Sequence, residues 1–567
     1  MVDYNSYRID KTGGYIKKLI FNSGISVDIN KNDIVVFVGP NNAGKSQSLK
    51  DIYTLCEKKK PTIVVSDLEI EKFDKPITAF LDSLHLPIDD LGDSKNYHTM
   101  TRSIYIYSQS ENNYKSSLYY EDFRDLFVAE LNTAARLTIC QPANNIRRTA
   151  QKNHPIHYAA FDPKYRKILS ESFHKAFGYE LIPNIQFGSE IPLCIGDSVV
   201  LEGEFKDEQE RQEKYADILA TYKQVQNQGD GIKSFTGILL YLMIDYYCTY
   251  LIDEPESFLH PPQANIMGRL IGEIVSNEQQ VFISTHSEEI IKGLLAVCPD
   301  RIKVIRITRN EDINEFSILD NSKFATIWND PLLKYSNIMA SLFHKEVVLC
   351  ESDSDCKFYS LVNDYIKHAE ETFSETLFIH CSGKHRMARI TEALRSLNVS
   401  VKLISDIDVF NDQTVFRGIV EAYGIEWSSI ETKYNVFVSN LHSPNDKIKR
   451  ADFLHEWNSL TSTAEFLSNT EIEKLTKALK KTSKWAQLKE AGFAAVPKGN
   501  AYAAVKDIRA VLEAHGIFVV PVGELECFIK EIGGHGPEWV NKVIETYPDF
   551  SDEVYDEARK FIKSMNL

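Results

Sequence analysis

The chain has 567 residues, a length at which one hydrophobic core no longer grows, so we expect about two to four domains. Its composition, 43% hydrophobic and 25% charged, is typical of an ordinary globular protein. The formal net charge of −16 excludes a surface that is basic throughout, but it does not exclude a local basic groove for nucleic acid.

The nine cysteines are scattered along the chain, and none belongs to a C-x-x-C pair. This pattern supports neither a disulfide framework nor a zinc ribbon, and it predicts reduced thiols in a cytoplasmic protein. The amino terminus lacks the apolar core of a secretory signal. The longest apolar run, residues 237–252, is interrupted by Asp245 and is too short to cross a bilayer, so we expect no membrane partner.

The first informative segment is DIVVFVGPNNAGKSQSLKDIYTL, residues 33–55, in which an apolar run leads into a glycine-rich turn and then into helical spacing. It contains the pattern G-x-x-x-x-G-K-[ST]. In this pattern the glycines let backbone N–H groups approach phosphate oxygens, the lysine reaches the β- and γ-phosphates, and the serine binds Mg²⁺. The segment predicts an ATP site formed by Gly39, Asn42, Gly44, Lys45, Ser46 and Gln47.

Two later strands end in polar residues that are typical of nucleotide hydrolysis. YLIDEPES supplies Asp253 to hold Mg²⁺ and Glu254 to position or deprotonate the attacking water. VFISTHSEEI places His286 at the end of the next strand, where an imidazole can contact the γ-phosphate. The alternatives are an acidic helix cap and a structural histidine. Because strand, turn and helix alternate in all these segments, we expect a parallel α/β domain.

In this order the three motifs resemble the ABC-type ATPase heads of SMC-like and OLD-family proteins. The resemblance implies that two heads sandwich ATP and that each completes the other's site with a signature loop. The matching segment is QGDGIKSFTGILLYL, with Gly231 and Ser234 as nucleotide contacts, although it departs from the usual S-G-G form and also suits a plain glycine helix entry. The glutamine that such heads use near Mg²⁺ is either Gln109 or Gln186.

A second α/β unit is expected beyond residue 340. Its pattern predicts alternating strands and helices at residues 346–353, 355–368, 376–381, 385–397 and 400–406. Two of these strands end in carboxylates, namely Glu351 with Asp355 in VVLCESDSD, and Asp406 with Asp408 in LISDIDVF.

These carboxylates are expected to meet, because the carboxyl ends of neighbouring parallel strands face one crevice. Hard oxygen ligands on strand ends suit Mg²⁺ or Mn²⁺, and two adjacent metals would stabilise the attacking and leaving oxygens of a phosphoryl displacement. The alternative is a set of strand-end caps and solvated turns. Cys350 and Cys356, which flank the first motif, are expected to be packing residues.

This combination resembles the Toprim domain of topoisomerases, primases and OLD-family nucleases. The usual E-G-x-x-D reads E-S-D-S-D here, so Ser352 stands where glycine is expected and Asp353 is an additional carboxylate. The resemblance also implies late acidic ligands, for which Glu524 and Glu526 stand in the matching place. It further implies a lysine near the scissile phosphate, and the two candidates are Lys384 and Lys498.

The resemblance covers nearly the whole chain. It implies an ATPase head at residues 1–340 with a mixed, partly helical insertion at about 60–225, and a Toprim domain at 341–567 with a helical insertion at about 440–500. The activity it implies is that of an ATP-regulated, divalent-metal-dependent DNA endonuclease or nickase that dimerises or assembles further through its heads.

The biology implied is defence against phage, as in Gabija-type and retron-associated OLD effectors. The partner would then be a retron reverse transcriptase with its RNA–DNA product, or a helicase. The competing hypothesis is a nucleotide-sensing assembly scaffold that binds nucleic acid or a partner without cleaving it.

Two groups of basic residues are consistent both with DNA contacts and with a solvated surface. The first recurs at helical spacing and comprises Lys474, Lys477, Lys481 and Lys484. The second comprises Arg147, Arg148, Lys152, Lys164, Arg166 and Lys167.

Overall fold

A computed structural model describes residues 13–73, 76–84, 86–99, 103–199, 201, 205–244, 247–311, 313–319, 330, 337–441, 450–460, 467–468, 470–472 and 484–567. The chain divides into two compact units, Met1–Thr326 and Ile327–Leu567. None of the helices in this part of the chain has the length and apolarity that a bilayer span requires.

The described residues of the first unit form seventeen strands. They are β1 Gly14–Phe21, β2 Ser26–Asp28, β3 Ile34–Val38, β4 Val65–Lys72, β5 Ile88–Asp90, β6 Ser94–His98, β7 Ser103–Tyr107, β8 Val128–Leu131, β9 Ala143–Asn144, β10 Glu180–Pro183, β11 Glu190–Ile191, β12 Leu193–Gly196, β13 Lys223–Gln224, β14 Thr249–Asp253, β15 Gln280–Ser284, β16 Ile302–Asn310 and β17 Ile313–Ile318.

The α-helices described in this unit alternate with those strands. They are α1 Lys45–Glu57, α2 Ile77–Ser83, α3 Ser108–Ser116, α4 Arg124–Phe127, α5 Thr133–Thr138, α6 Pro155–Phe161, α7 Pro163–Phe177, α8 Glu208–Thr221, α9 Asp230–Leu242, α10 Pro261–Ile274 and α11 Glu288–Leu295.

A six-stranded sheet forms the centre of the first unit, with the order β17-β16-β3-β15-β14-β8. All neighbouring pairs are parallel except β16 with β17. Strands β3 and β15 are buried along their whole length, because helices cover both faces of such a sheet and the strands therefore read as continuous apolar runs. The ends of β3, β15 and β14 lie side by side at one edge, which confirms the predicted parallel α/β architecture.

The region predicted as an insertion, about residues 60–225, also supplies strands to the main sheets. Strand β4 pairs antiparallel with β1, and β8 is the edge strand that pairs with β14. The remaining strands of this region form small antiparallel sheets, with orders β5-β6-β7, β11-β9 and β10-β12-β13. Strand β8 has only four residues, so its sequence carries too little periodicity to reveal its place in the central sheet.

The second unit contains a four-stranded parallel sheet with the order β19-β18-β20-β21. Its strands are β18 Glu346–Cys350, β19 Thr376–His380, β20 Ser400–Ser405 and β21 Ile517–Val519. The described α-helices are α12 Asp353–Ala369, α13 Met387–Ser396, α14 Gln413–Ala422, α15 Glu431–Leu441, α16 Arg450–Leu460, α17 Lys484–Ala491, α18 Asn500–Ala514, α19 Gly536–Thr546 and α20 Asp556–Ser564.

The predicted alternation of strands and helices is confirmed here, although the boundary between the first strand and the first helix lies earlier than predicted. The first strand ends at Cys350, and α12 begins at Asp353, because the Ser352 hydroxyl accepts a hydrogen bond from the backbone N–H of Asp355 and starts the helix early. Cys350 and Cys356 are buried in the apolar core beside this turn, as expected of packing residues.

Helices α14 to α18 lie in sequence between β20 and β21. One of them, α17, packs against the short turn Ile407–Asn411 that directly follows β20. The helical region therefore contacts the end of the sheet at which the carboxylates lie.

Candidate functional site

The glycine-rich loop after β3 is shaped by its two glycines. Gly39 has a φ of +142°, and a Cβ there would lie 1.9 Å from the carbonyl oxygen of Ile307. Gly44 has a φ of +99° and directly precedes α1. Both positions exclude residues with a side chain, so the loop keeps its backbone N–H groups accessible to an anion at the start of a helix.

Lys45 is buried, and its amine rests on the loop itself. Its Nζ donates to the carbonyl oxygen of Gly39 at 2.8 Å and to that of Pro40 at 2.6 Å. Burial lowers the pKa of Lys45 to about 8, although nearby carboxylates, Glu254 first among them, oppose this shift. Among the described residues, no carboxylate lies within ion-pair distance of this lysine, so its charge is available to a phosphate.

A cavity of about 760 Å³ opens at this loop. The predicted site residues that line it are Asn42, Gly44, Lys45, Ser46, Gln47, Glu254 and His286. Sequence reasoning missed six further lining residues, which are Asn41, Lys50, Ile63, Val64, Arg309 and Asn314. The Asn314 amide donates to the carbonyl oxygen of Ala43 at 2.6 Å and thus holds the loop. Three basic side chains, Lys45, Lys50 and Arg309, give the cavity the charge that a triphosphate requires.

The predicted hydrolytic pair is assembled at the ends of β14 and β15. His286 Nε2 lies 3.3 Å from Glu254 Oε1. Glu254 has a left-handed φ of +45°, and its backbone N–H donates to the carbonyl oxygen of Ser284 at 2.9 Å. Burial lowers the pKa of His286, and Lys45 lowers it further, while Glu254 acts in the opposite direction. The imidazole is therefore neutral at neutral pH and can accept or donate a hydrogen bond at a γ-phosphate.

A second carboxylate of the same motif, Glu256, was not assigned from the sequence. Its Oε1 accepts from Thr285 Oγ1 at 2.9 Å and from the backbone N–H of His286 at 2.7 Å. Its other oxygen, Oε2, is buried and has no hydrogen-bond partner among the described residues. Burial raises the pKa of Glu256. Glu256 thus fixes the backbone that carries His286, and the repeated acidic residue in DEPE was the available signal.

Two more side chains hold the acidic end of β14. The fully buried Arg136 donates from Nη1 to the carbonyl oxygens of Asp253 at 2.8 Å and Glu254 at 3.1 Å. The Ser284 hydroxyl donates to Asp253 Oδ1. No sequence motif marks Arg136, because it lies more than a hundred residues before the carbonyls that it binds.

The residues predicted for a signature loop, which by the resemblance would complete the site of a second head, do not line the cavity of their own unit. Gly231 lies in the first turn of α9, where a Cβ would be 2.5 Å from the carbonyl oxygen of Phe258. Ser234 is fully buried, so its hydroxyl is not open to a nucleotide. Gln109 donates to Asn113 and Gln186 lies in a loop, and neither side chain belongs to the cavity lining.

The predicted carboxylates of the second unit converge at one edge of its sheet. Glu351 follows β18, Asp406 and Asp408 follow β20, and Glu524 follows β21 after a short loop. Burial raises the pKa of Asp406 well above its usual range, and the negative charges of Asp355, Glu351, Asp408 and Glu524 raise it further. Burial likewise raises the pKa of Glu351, with Asp408 as the next cause. The carboxylates therefore lie close enough to repel one another.

Ser352, which stands where the expected pattern has glycine, binds the Asp355 carboxylate. Its backbone N–H and its hydroxyl both donate to Asp355 Oδ2, at 2.7 Å and 2.9 Å. Asp355 is thereby fixed at the start of α12 and is also raised in pKa, first by burial and then by the charge of Glu526. Asp353 is exposed on the first turn of the same helix.

Two lysines meet the carboxylates, and only one of them was a candidate from the sequence. Lys384 Nζ lies 3.0 Å from Asp408 Oδ2. Lys489, on α17, lies 2.9 Å from the same oxygen and 3.6 Å from Glu524 Oε2. Burial alone would raise the pKa of Asp408, but hydrogen bonds from both lysines outweigh it and lower that pKa. The other candidate, Lys498, is exposed and has no ion-pair partner within the described ranges.

The donor set suits a hard divalent cation. The two lysines pair with Asp408 and Glu524, whereas the carboxylate of Asp406 has no hydrogen-bond donor or ion-pair partner in the part of the chain that the structure describes. Burial raises the pKa of Glu524, and Lys489 opposes the shift. The uncompensated negative charge and the free oxygens are the properties that a metal site requires.

The predicted basic surfaces were located only in part. Lys474, Lys477 and Lys481 lie outside the described residues, and Lys484 begins α17. In the second group, the exposed members are Arg147, Arg148, Arg166 and Lys167. The Arg166 guanidinium donates to the carbonyl oxygens of Ala159 and Ala160, which ties it to its own chain.

The glycine loop, the acidic strand end and the histidine define a nucleotide-binding ATPase domain of the P-loop class. The family model described as an AAA ATPase domain matches residues 196–291, which include Asp253, Glu254 and His286.

Among curated proteins, the chain is similar to the Old nuclease of Escherichia phage P2, with 23% identity over 324 residues. The match covers 55% of this chain and 49% of the relative, so the chain spans about half the length of the curated relative that it matches.

Among solved structures, the chain is similar to an Smc head bound to the C-terminal winged-helix domain of ScpA, with 15% identity and a TM-score of 0.34 over 55% of this chain and 99% of that one. The Smc head from Pyrococcus furiosus gives 15% identity and a TM-score of 0.30, over 55% and 98% of the two chains. The SMC head from Thermotoga maritima gives 14% identity and a TM-score of 0.28, over 54% and 99%. Because these similarities are weak, the fold is assigned from the observed strand order and pairing.

Proposed function

We propose that this chain is an ATP-regulated, divalent-metal-dependent DNA endonuclease or nickase. One observation carries the proposal: six carboxylates from the ends of three adjacent parallel strands converge with two lysines in the second unit. These carboxylates repel one another, and the repulsion costs folding free energy unless a cation offsets it. A chain that only assembled on nucleic acid would gain nothing from it. The similarity to the Old nuclease, which its name describes as a nuclease, supports the same activity.

The second unit is proposed to act as a Toprim-like nuclease domain. Glu351, Asp355, Asp406, Asp408, Glu524 and Glu526 would hold Mg²⁺ or Mn²⁺. When bound, a pair of such ions supplies Lewis acidity to the attacking and leaving oxygens of a phosphodiester. Lys384 and Lys489 lie at the edge of the group, where their ammonium charges would bind the scissile phosphate and orient it.

The first unit is proposed to bind and hydrolyse ATP. Lys45, Lys50 and Arg309 would bind the phosphates, and Ser46 with Asp253 would hold Mg²⁺. Glu254 would take the proton of the attacking water, with His286 at its carboxylate as the γ-phosphate sensor. Two heads would associate around ATP and transmit the nucleotide state to the nuclease site. A role in phage defence, with a reverse transcriptase or helicase partner, belongs to the same proposal.

The test is cleavage of supercoiled plasmid DNA in Mg²⁺ or Mn²⁺ by the full-length protein. Glu351→Gln and Asp406→Asn should each lower the cleavage rate by about a hundredfold or more, because each removes a charged metal ligand. Asp353→Asn is the matched control, since it removes an exposed carboxylate that is only two residues from Glu351, and it should cleave at the wild-type rate. Undiminished cutting by both site variants would refute the assignment, and a wild-type protein that binds DNA without cutting it would favour a scaffold.

A further inference from the structure

A histidine stands beside the late carboxylates, and no motif had singled it out. One imidazole nitrogen of His535 and one carboxylate oxygen each of Glu524 and Glu526 lie within 4.8 Å of one another. In this group, His535 Nδ1 lies 3.5 Å from Glu526 Oε1. These three atoms could bind a single cation, since a cation in their midst would lie at coordination distance from each after small side-chain movements.

The local backbone holds this group together. Glu526 lies in the short turn Leu525–Phe528 after β21, and its Oε1 also accepts from the backbone N–H of Gly536 at 2.8 Å. His535 precedes Gly536, the first residue of α19, and Gly534 and Gly536 have φ values of +114° and +57°. The turn therefore has left-handed backbone on both sides of the histidine, a conformation that favours glycine. The His535 ring itself is largely exposed, so it can rotate onto a ligand without disturbing the core.

A second observation concerns a buried hydroxyl in the surroundings of Glu526. The hydroxyl of Tyr359, a residue that is 1% exposed, is buried and has no hydrogen-bond partner within the described ranges. Burial raises the pKa of Tyr359 most, and the charges of Asp355 and Asp406, followed by Cys350 and Glu526, raise it further. A buried hydroxyl is rarely left without a partner, and a cation with its bound water would supply one here.

We propose that Glu524, Glu526 and His535 form a metal subsite with mixed oxygen and nitrogen ligands, which prefers Mn²⁺ over Mg²⁺. The inference rests on the proposed nuclease function and deepens it by naming the ion. Mg²⁺ demands oxygen ligands in near-ideal octahedral geometry, whereas imidazole is a regular ligand of first-row transition metals. The carboxylates alone do not discriminate strongly between the two ions, so the discrimination resides in the histidine.

The experiment measures binding of Mn²⁺ alone and Mg²⁺ alone to the full-length protein without DNA. Pulsed EPR of bound Mn²⁺ should show coupling to ¹⁴N in the wild type and in His515→Ala, and none in His535→Ala. His515 is a suitable control because it is exposed at the end of α18 and its ring bonds to the carbonyl oxygen of Val511. His535→Ala should weaken Mn²⁺ binding by about tenfold or more and Mg²⁺ binding by less than about twofold.

The outcomes separate this inference from the nuclease proposal. Mn²⁺ that binds the wild type without ¹⁴N coupling, and whose affinity His535→Ala leaves unchanged, would overturn the subsite. Glu351→Gln should still weaken both ions in that case, which would leave the carboxylate site standing. Nitrogen coupling in a protein that does not cut DNA would support the subsite while the nuclease proposal failed. Binding of neither ion would overturn both.

Discussion

Asp406 and Asp408 are separated by one residue, yet their surroundings shift their pKa values in opposite directions. Burial and four neighbouring carboxylates raise the pKa of Asp406, whereas two lysines lower that of Asp408 against the effect of burial. The D-x-D motif predicts the presence of both carboxylates at a strand end. It cannot distinguish them, because the difference comes from Lys384 and Lys489, which lie elsewhere in the chain.

The raised pKa of Asp406 has a measurable consequence for stability. The folded protein holds a proton at pH values where the unfolded chain has released it, so stability falls as pH rises above the unfolded pKa of about 3.9. Asp406→Asn removes this cost. In EDTA at pH 7 the variant should melt about 2 °C higher than the wild type or more, and the gain should shrink toward pH 4. A lower melting temperature at pH 7, measured by calorimetry, would contradict the assigned environment.

Two substitutions of Glu256 distinguish a role in positioning His286 from a need for the carboxylate charge itself. Glu256→Ala removes the acceptor of the Thr285 and His286 hydrogen bonds, whereas Glu256→Gln keeps an oxygen that can accept them. We expect the alanine variant to lose about tenfold or more in the kcat of ATP hydrolysis, with less than about a twofold change in ATP affinity, because His286 is displaced from its place. The glutamine variant should hydrolyse ATP at a near-wild-type rate. Equal loss in both variants would show that the charge itself is needed.

At the scale of elements, the strand and helix pattern was the most predictable part of the chain. The apolar run and glycine loop before α1, and the alternation from β18 to β20, follow from the pattern that a parallel sheet covered by helices imposes. Lys489 was missed because it belongs to α17, far along the chain from β20, and only packing brings the two together. Arg309 and Asn314 were missed for the same reason, since they enter the nucleotide cavity from β16 and β17.

Helix α17 should stabilise the carboxylate edge mainly when no metal is bound. Lys489→Met leaves Asp408 and Glu524 without one of their cations, so its melting temperature in EDTA should fall by about 2 °C or more. Added Mg²⁺ should restore most of the loss, because the ion offsets the same charges. Lys498→Met is the matched control and should melt like the wild type in both conditions. If Mg²⁺ does not restore the loss, Lys489 stabilises the helix rather than the carboxylates.

At the scale of the whole molecule, each of the two units carries its own site. The nucleotide site lies in Met1–Thr326 and the carboxylate site in Ile327–Leu567. No motif in the chain specifies the direction of nucleotide control. The effect of ATP on cleavage is therefore measured on the intact chain, with and without the nucleotide.

Lys45→Ala is the variant that isolates this coupling. It should abolish ATP binding, because the loop loses its phosphate-contacting charge, while plasmid cleavage without ATP stays within about twofold of the wild type. Any change that ATP causes in wild-type cleavage, in either direction, should be absent from the variant. Lys17→Ala, at an exposed lysine of β1, should respond to ATP like the wild type. An ATP response that survives in Lys45→Ala would show that the nucleotide acts at another place.

The two hydrogen bonds of the Lys45 amine also bear on which anions the loop binds. The amine already satisfies two carbonyl oxygens, so an incoming anion must replace both bonds before it gains the lysine's charge. A lone orthophosphate offers too little in exchange, whereas a triphosphate also reaches Ser46, Lys50 and Arg309. We therefore expect inorganic phosphate to bind this loop much more weakly than a nucleotide does.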